Sequence, residues 1–319
     1  MASSKSVVIA ALIANGAIAI LKFIGFSITG SPAMLSETYH SISDTGNQVF
    51  LLFGIRYSGK EATRSHPFGY GKAQFFYAFL VSVLLFGIAG WESAKHGFEA
   101  IMHPKPPELG LVNLAGYEFP GIWVSYAVLI GAIVFETYAF AKAYKAMKLQ
   151  IEKHNWSGFR EAFRKTSDVT TLTALTEDAI ALAGAAIALV GIYLSRVTGN
   201  GIYDAISAFL IGLMLMGFAI ALAWENKRLL LGESLSDEAE NPLRDIVRRS
   251  TGVTNVEDFR TVYFGPGRAI VTADVAFDAD MDTETIDDAI TAIEQEIQAA
   301  DDRIKKVYIE PELKDTAAV

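Results

Sequence analysis

The sequence predicts an α-helical membrane protein of six transmembrane helices followed by a small α+β domain, and three observations lead there. Six segments reach the roughly 20 residues that a helix needs to cross a hydrocarbon layer of about 30 Å. Acidic residues crowd the chain after Leu235, whereas long apolar runs precede it. Basic residues gather in alternate connections instead of being spread evenly. With 51% of its 319 residues hydrophobic and a mean hydropathy of +0.30, the composition averages over two parts made for two solvents. The expected division is a six-helix transmembrane domain over 1–230 and an α+β domain over 231–319.

The expected spans run from Val7 to Ile28, Ala33 to Tyr57, Phe75 to Gly97, Pro120 to Ala141, Asp168 to Ser195 and Ile202 to Trp224. The first continues as one of several runs of similar length and lacks a small-residue cleavage site, so it reads as a span and not a signal peptide. Arg56 at the end of the second span and Lys60, Arg64 and Lys72 after it precede the third span. Lys142, Lys145, Lys148, Lys153, Arg160, Arg164 and Lys165 follow the fourth. The alternate connections hold only Lys105 and Arg196. Basic loops stay cytoplasmic, so both termini are expected inside, in a multi-pass protein of the inner (plasma) membrane.

After Trp224 the run Glu225-Asn226-Lys227-Arg228 marks the exit from the bilayer. Ser236 followed by Asp237, Glu238 and Glu240 reads as an N-cap and charged first turn of a helix to about Ser250. Alternating runs Thr254 to Val262 and Ala269 to Phe277, joined by Gly265-Pro266-Gly267, form a hairpin. Ile286, Ile290, Ile293 and Ile297 give Asp282 to Ala299 a helical period, and Lys306 to Ile309 returns to strand character. The order αββαβ implies a ferredoxin-like sandwich with its helices on one face of a sheet.

The absence of cysteine removes both disulfides and thiolate ligands, so any metal site must be built from nitrogen and oxygen. A net charge of −9 argues against a nucleic-acid partner. No HExxH signature occurs, and no enzyme is expected.

The second and fifth spans are not uniformly apolar. Glu37, His40, Asp44 and Asn47 are spaced by three, four and three residues, which places them on one stripe of a helix. Glu177 and Asp178 lie about ten residues into a helix otherwise built of Ala, Leu, Ile and Gly. Carboxylates at such depth cost several kcal/mol unless a partner, a cation or water meets them. Lys22 of the first span is one possible partner, and a cation held between the second and fifth spans neutralises the remaining negative charge. His and Asp at i, i+4 can face one ion, with donor atoms that suit zinc.

The stretch Gly30-Ser31-Pro32-Ala33-Met34-Leu35-Ser36-Glu37-Thr38-Tyr39-His40-Ser41-Ile42-Ser43-Asp44 resembles the second helix of the cation diffusion facilitator family, where HxxxD supplies half of the transport site. The likeness continues through Ser65-His66-Pro67-Phe68-Gly69-Tyr70-Gly71-Lys72. Within that family, Leu175-Thr176-Glu177-Asp178 and Gly199-Asn200-Gly201-Ile202-Tyr203-Asp204 are similar to the branch that contains a mitochondrial zinc transporter.

This resemblance implies a homodimer in the lipid bilayer that exchanges Zn²⁺, or Mn²⁺, Fe²⁺, Co²⁺ or Cd²⁺, for protons, with no organic cofactor. By the same resemblance His40, Asp44 and Asp178 are metal ligands. The family's remaining ligand position is here Ala174, and Glu177, Glu136 and Asn47 are the candidates to replace it. The family's accessory site near His66 lacks its second histidine, whose place Tyr70 takes. The C-terminal domain holds no histidine, and only Glu257, Asp258, Glu310 and Glu312 stand near the family's ligand positions. Lys72 matches a basic residue of a charge interlock, with Glu233 as its expected partner. A different function compatible with the sequence is a membrane-anchored divalent-metal sensor or scaffold without transport.

Overall fold

The structure is a computed structural model that describes residues 2–106, 110–114, 117–153, 156–165 and 169–312. The chain divides into two compact units. One comprises Met1–Leu52 and Ala78–Trp224, the other Phe53–Tyr77 and Glu225–Val319.

The first unit is built on helices α1 (Ala2–Thr29), α2 (Pro32–Ser58), α3 (Ala73–Leu84), α4 (Trp91–Met102), α5 (Ile122–Lys153), α6 (Phe159–Lys165), α7 (Val169–Thr198) and α8 (Ile202–Leu231). Among the described residues five helices are long and apolar enough to cross a membrane, over Leu12–Thr29, Ala73–Met102, Ile122–Lys153, Ala174–Thr198 and Ile202–Leu231. The sequence leads to six. α2 has 27 residues, about 40 Å of helix, but its polar stripe lowers its hydropathy below that of the others.

The third expected span is one continuous helix with a π-helical segment, Leu85–Gly90, between α3 and α4. Such a wider turn disrupts the i→i−4 ladder locally and is frequent at functional sites. The fourth and sixth spans run farther than their apolar stretches. α5 carries Lys142, Lys145, Lys148 and Lys153 within the helix itself, and α8 continues through Glu225-Asn226-Lys227-Arg228 to Leu231. Asp168, the expected start of the fifth span, lies outside the described residues. A short antiparallel hairpin, β1 (Leu111–Leu114) and β2 (Tyr117–Pro120), and the short α6 were not anticipated from the sequence.

The buried centre of this unit includes Ala33, Met34, Leu85, Leu129, Ala185, Ala188, Ile192, Ile211 and Leu215. α5 packs against α7 and α1. Between α7 and α8 the backbones approach so closely at Gly191 that a β-carbon there would collide with the Ser207 hydroxyl. Small residues make such close helix contacts possible in a bilayer, where apolar side chains gain nothing by leaving lipid.

The start of α2 is held from a distant part of the chain. Pro32 occupies the first helical position, where its missing N–H costs nothing. Ser31 Oγ accepts from the Met34 N–H at 3.1 Å. Asp204 Oδ1, from the first turn of α8, accepts from the Ala33 N–H at 3.0 Å and from Ser31 Oγ at 2.9 Å. Two of the N–H groups that every helix start leaves unpaired are thereby satisfied inside an apolar environment.

The second unit contains α9 (Asp237–Arg249), β3 (Val253–Gly265), β4 (Arg268–Phe277), α10 (Thr283–Ala300) and β5 (Ile304–Glu312), the expected αββαβ order. Strands lie in the order β3-β4-β5, with β3 and β4 antiparallel and β4 and β5 parallel. Alternate residues of β4, Ala269, Val271, Ala273, Val275 and Phe277, meet Leu243, Ile246 and Val247 of α9 and Ile293 and Ile297 of α10. That period of two is what a sheet with helices on one face requires. Asp282 caps α10 by accepting from the Thr285 N–H at 2.9 Å and its hydroxyl at 2.6 Å, bonds that hold its carboxyl below the usual carboxylate range.

Residues Phe53–Tyr77 belong to this same unit, and Gly71 lies against the Phe264 carbonyl and Gly265 at the tip of the β3–β4 hairpin. The expected Lys72–Glu233 pair is not what forms. Lys72 Nζ donates to the Leu230 carbonyl at 3.3 Å, while Glu233 pairs with Arg228, which also reaches Glu225 at 3.3 Å. Arg228 is only five residues from Glu233, a shorter loop to close than the one from Lys72.

Asp204→Ala removes the acceptor of two hydrogen bonds and should destabilise the detergent-solubilised protein by about 1–2 kcal/mol. Asp204→Asn keeps an acceptor oxygen and should melt close to wild type, as thermal denaturation would show.

Candidate metal-ion site

The polar stripe of α2 folds as its spacing requires. Glu37 is 0% and His40 2% exposed, while Asp44 and Asn47 are half-buried. Lys22 of α1 is 1% exposed, and its Nζ lies 2.7 Å from Glu37 Oε2. A charge placed among membrane helices needs an opposite charge or a cation nearby, and this pair provides one for Glu37. Glu37 Oε1 is buried with no hydrogen-bond partner.

His40 is the most exceptional group of the stripe. Neither ring nitrogen has a hydrogen-bond partner, although both are buried. Nε2 approaches Asp44 Oδ2 at 3.5 Å without the alignment of a hydrogen bond. Buried polar atoms are nearly always paired, so an imidazole in this state is a donor atom without its acceptor. His40 and Asp44, one turn apart, turn toward the same volume.

α7 supplies the facing groups. Glu177 accepts a side-chain hydrogen bond from Asn47, and its charge acts on Asp44, His40 and Asp178. Asp178 is also within electrostatic reach of Asp44 and of Glu136 on α5. Glu136 in turn acts on His40 and Asp44. Glu177 and Asp178 are consecutive, about 100° apart around the helix, so they address this volume from different angles. Ala174, one turn before Asp178, is half-buried and brings no donor.

All six residues singled out from the sequence, His40, Asp44, Asn47, Glu136, Glu177 and Asp178, therefore lie around one region of the first unit. Among the described residues no three His, Asp or Glu side chains converge tightly enough to enclose an ion. The donors are assembled on three helices without being closed into one coordination sphere. Two further contacts carry weight: the sequence offers Lys22 only as one possible partner and gives Asp204 no role. Lys22 and Glu37 form their pair across 15 positions, and Asp204 anchors α2 from 171 and 173 positions away.

The accessory positions do other things. The exposed His66 ring stacks on Tyr70 with centroids 4.3 Å apart. Asp258 pairs with Arg260, and Glu257 accepts from Asn255 at 2.9 Å, so both acidic residues of β3 have protein partners.

The chain matches the cation efflux transmembrane domain over residues 8–231 and the cation efflux protein cytoplasmic domain over 235–313. The human mitochondrial proton-coupled zinc antiporter SLC30A9 is 29% identical over 272 residues, which cover 85% of this chain and 46% of that protein. Metal tolerance protein C4 of Arabidopsis thaliana is 26% identical over 278 residues, 87% of this chain and 58% of that one. The cation-efflux pump FieF of Yersinia enterocolitica is 26% identical over 267 residues, 83% of this chain and 79% of the pump. The chain thus spans about half the length of the human relative and more of the bacterial one.

Gly184 of α7 sits against Glu37, and a β-carbon there would lie 2.6 Å from Glu37 Oε1. Gly184→Ala should therefore lower stability in detergent by about 1–3 kcal/mol, the usual cost of overpacking a close contact. Glu37→Asp in the same protein, by shortening the carboxylate, should recover part of the loss on thermal melting.

Proposed function

The chain belongs to the cation efflux family, a family of multi-pass membrane transporters, and we propose that it exports divalent metal ions from the cytoplasm in exchange for protons, Zn²⁺ first. The observation that carries this reading is the buried His40 imidazole with two unpartnered nitrogens, beside Asp44 and within electrostatic reach of Glu177. His40, Asp44 and Asp178 are the proposed ligands. Glu177 takes the place left by Ala174, with Glu136 and Asn47 as the other candidates for that place.

A donor set of one imidazole and carboxylates, with no thiolate, suits Zn²⁺, while its oxygen content also admits Mn²⁺, Fe²⁺, Co²⁺ or Cd²⁺. These ligands must be deprotonated to coordinate, so protons and a divalent ion compete for the same atoms. An imidazole ionises near neutral pH, which makes the competition effective under physiological conditions. If the region between α2 and α7 opens to each side in turn, protons entering down their gradient displace the metal on the far side. The ligands then close on the ion only in the loaded protein.

The transmembrane part, over 1–230, works in this scheme with a cytoplasmic part over 231–319, both termini inside an inner (plasma) membrane. The match to a cytoplasmic dimerisation domain supports a homodimer.

The test is pH-gradient-driven uptake of Zn²⁺, Mn²⁺, Fe²⁺ and Co²⁺ by the purified protein in proteoliposomes. Saturable uptake by the wild type, abolished in His40→Ala, Asp44→Ala and Asp178→Ala with folding and dimerisation intact, is expected. Uptake retained in all three variants would remove this site, and binding without uptake would favour a metal sensor.

A further inference from the structure

Lys22 is the buried ionised group that the transport scheme leaves without a task. It comes from α1, reaches Glu37 Oε2 at 2.7 Å, and is 1% exposed. Glu37 lies one turn before His40 on the same stripe, so the two side chains are neighbours on the helix surface. Only one oxygen of Glu37 is engaged. The other, Oε1, is buried and unpartnered, like both nitrogens of His40. The Lys22 charge also acts on His40, Asp44 and Glu136.

A free carboxylate at Glu37 would be a further oxygen donor for a cation at His40 and would add a negative charge to its surroundings. A transporter gains nothing from the tightest site, because an ion that is held too well is not released. We propose that Lys22 is a positioning residue that holds Glu37 out of the ion's coordination, keeping the donor set weak enough for release. The assignment rests on the transport reading above and extends it to a residue that touches no ion.

The charge balance makes the idea testable. Wild type and a doubly neutral pair leave the compartment's net charge alike, whereas losing Lys22 alone adds one negative charge and losing Glu37 alone adds one positive charge. Replacing both partners of a buried ion pair is usually tolerated, while removing one leaves an unpaired charge.

The experiment measures Zn²⁺ affinity by calorimetry on the purified full chain and Zn²⁺ uptake kinetics in proteoliposomes. Lys22→Met should lower Kd and KM roughly tenfold, as a new charge near the ion would, and lower kcat as release slows. Lys22→Met with Glu37→Gln should bring all three back toward wild type, and Lys22→Arg should leave them near wild type. A purely structural pair would lower the yield or stability without this joint fall of Kd, KM and kcat. If Lys22→Met is not recovered as folded protein, Lys22→Gln, which keeps a hydrogen-bond donor toward Glu37 and removes the charge, carries the test. Tighter Zn²⁺ binding supports the assignment, and unchanged binding overturns it. Wild-type protein that transports, with Lys22→Met matching it in KM and kcat, removes the role of Lys22 alone. Wild-type protein that binds Zn²⁺ and does not move it removes the transport reading.

Discussion

Polar groups carried into the centre of a helical membrane domain must be answered by something other than lipid, and the stripe of α2 concentrates that requirement. Its members are answered unequally. Glu37 has Lys22, Asn47 has Glu177, and the helix start has Ser31 and Asp204. His40 has no hydrogen-bonding partner at all. Each satisfied member fixes α2 against a different helix: α1 through Lys22, α7 through Glu177, α8 through Asp204. The unsatisfied imidazole sits among these attachments, and leaving it bare carries a cost that the proposed ion would offset.

The surrounding fold keeps those helices close. Small residues let α7 approach α2 at Gly184 and α8 at Gly191 with little side-chain interlock. The π-helical turn at Leu85–Gly90 interrupts the ladder of the α3–α4 helix at mid-length. In the second unit, packed hydrophobic layers make a more conventional core, with β4 presenting every second residue to α9 and α10. Phe53–Tyr77 folds together with that unit, so the connection between α2 and α3 is part of the same body as the C-terminal sandwich.

Much of this was legible in the sequence because hydrophobic periodicity is a local property. The αββαβ order, the Gly265-Pro266-Gly267 turn and the alternation of β4 follow from residues near one another in the chain. So does the shared face of Glu37, His40, Asp44 and Asn47. The bilayer-length signal itself becomes ambiguous at α2, since the same polar residues that mark the site lower its hydropathy. Helix ends are not legible where polar residues continue a helix beyond its apolar stretch, as in α5 and α8. The hairpin β1–β2 carries no strong alternation in four-residue strands. Pairings between distant residues were beyond reach in detail: that Lys22 would choose Glu37, that Arg228 and not Lys72 would take Glu233, and that Asp204 would cap α2. Each depends on which helix faces are adjacent, and one sequence does not encode that in any short window.

The most direct test of an ion bound through His40 is X-ray absorption at the zinc edge on the loaded, purified protein, wild type beside His40→Ala. A first shell of oxygens with one imidazole at about 2.0–2.1 Å, whose imidazole signature disappears in the variant, is the expected result. A shell of oxygen alone, or an imidazole signature that survives in His40→Ala, would contradict it.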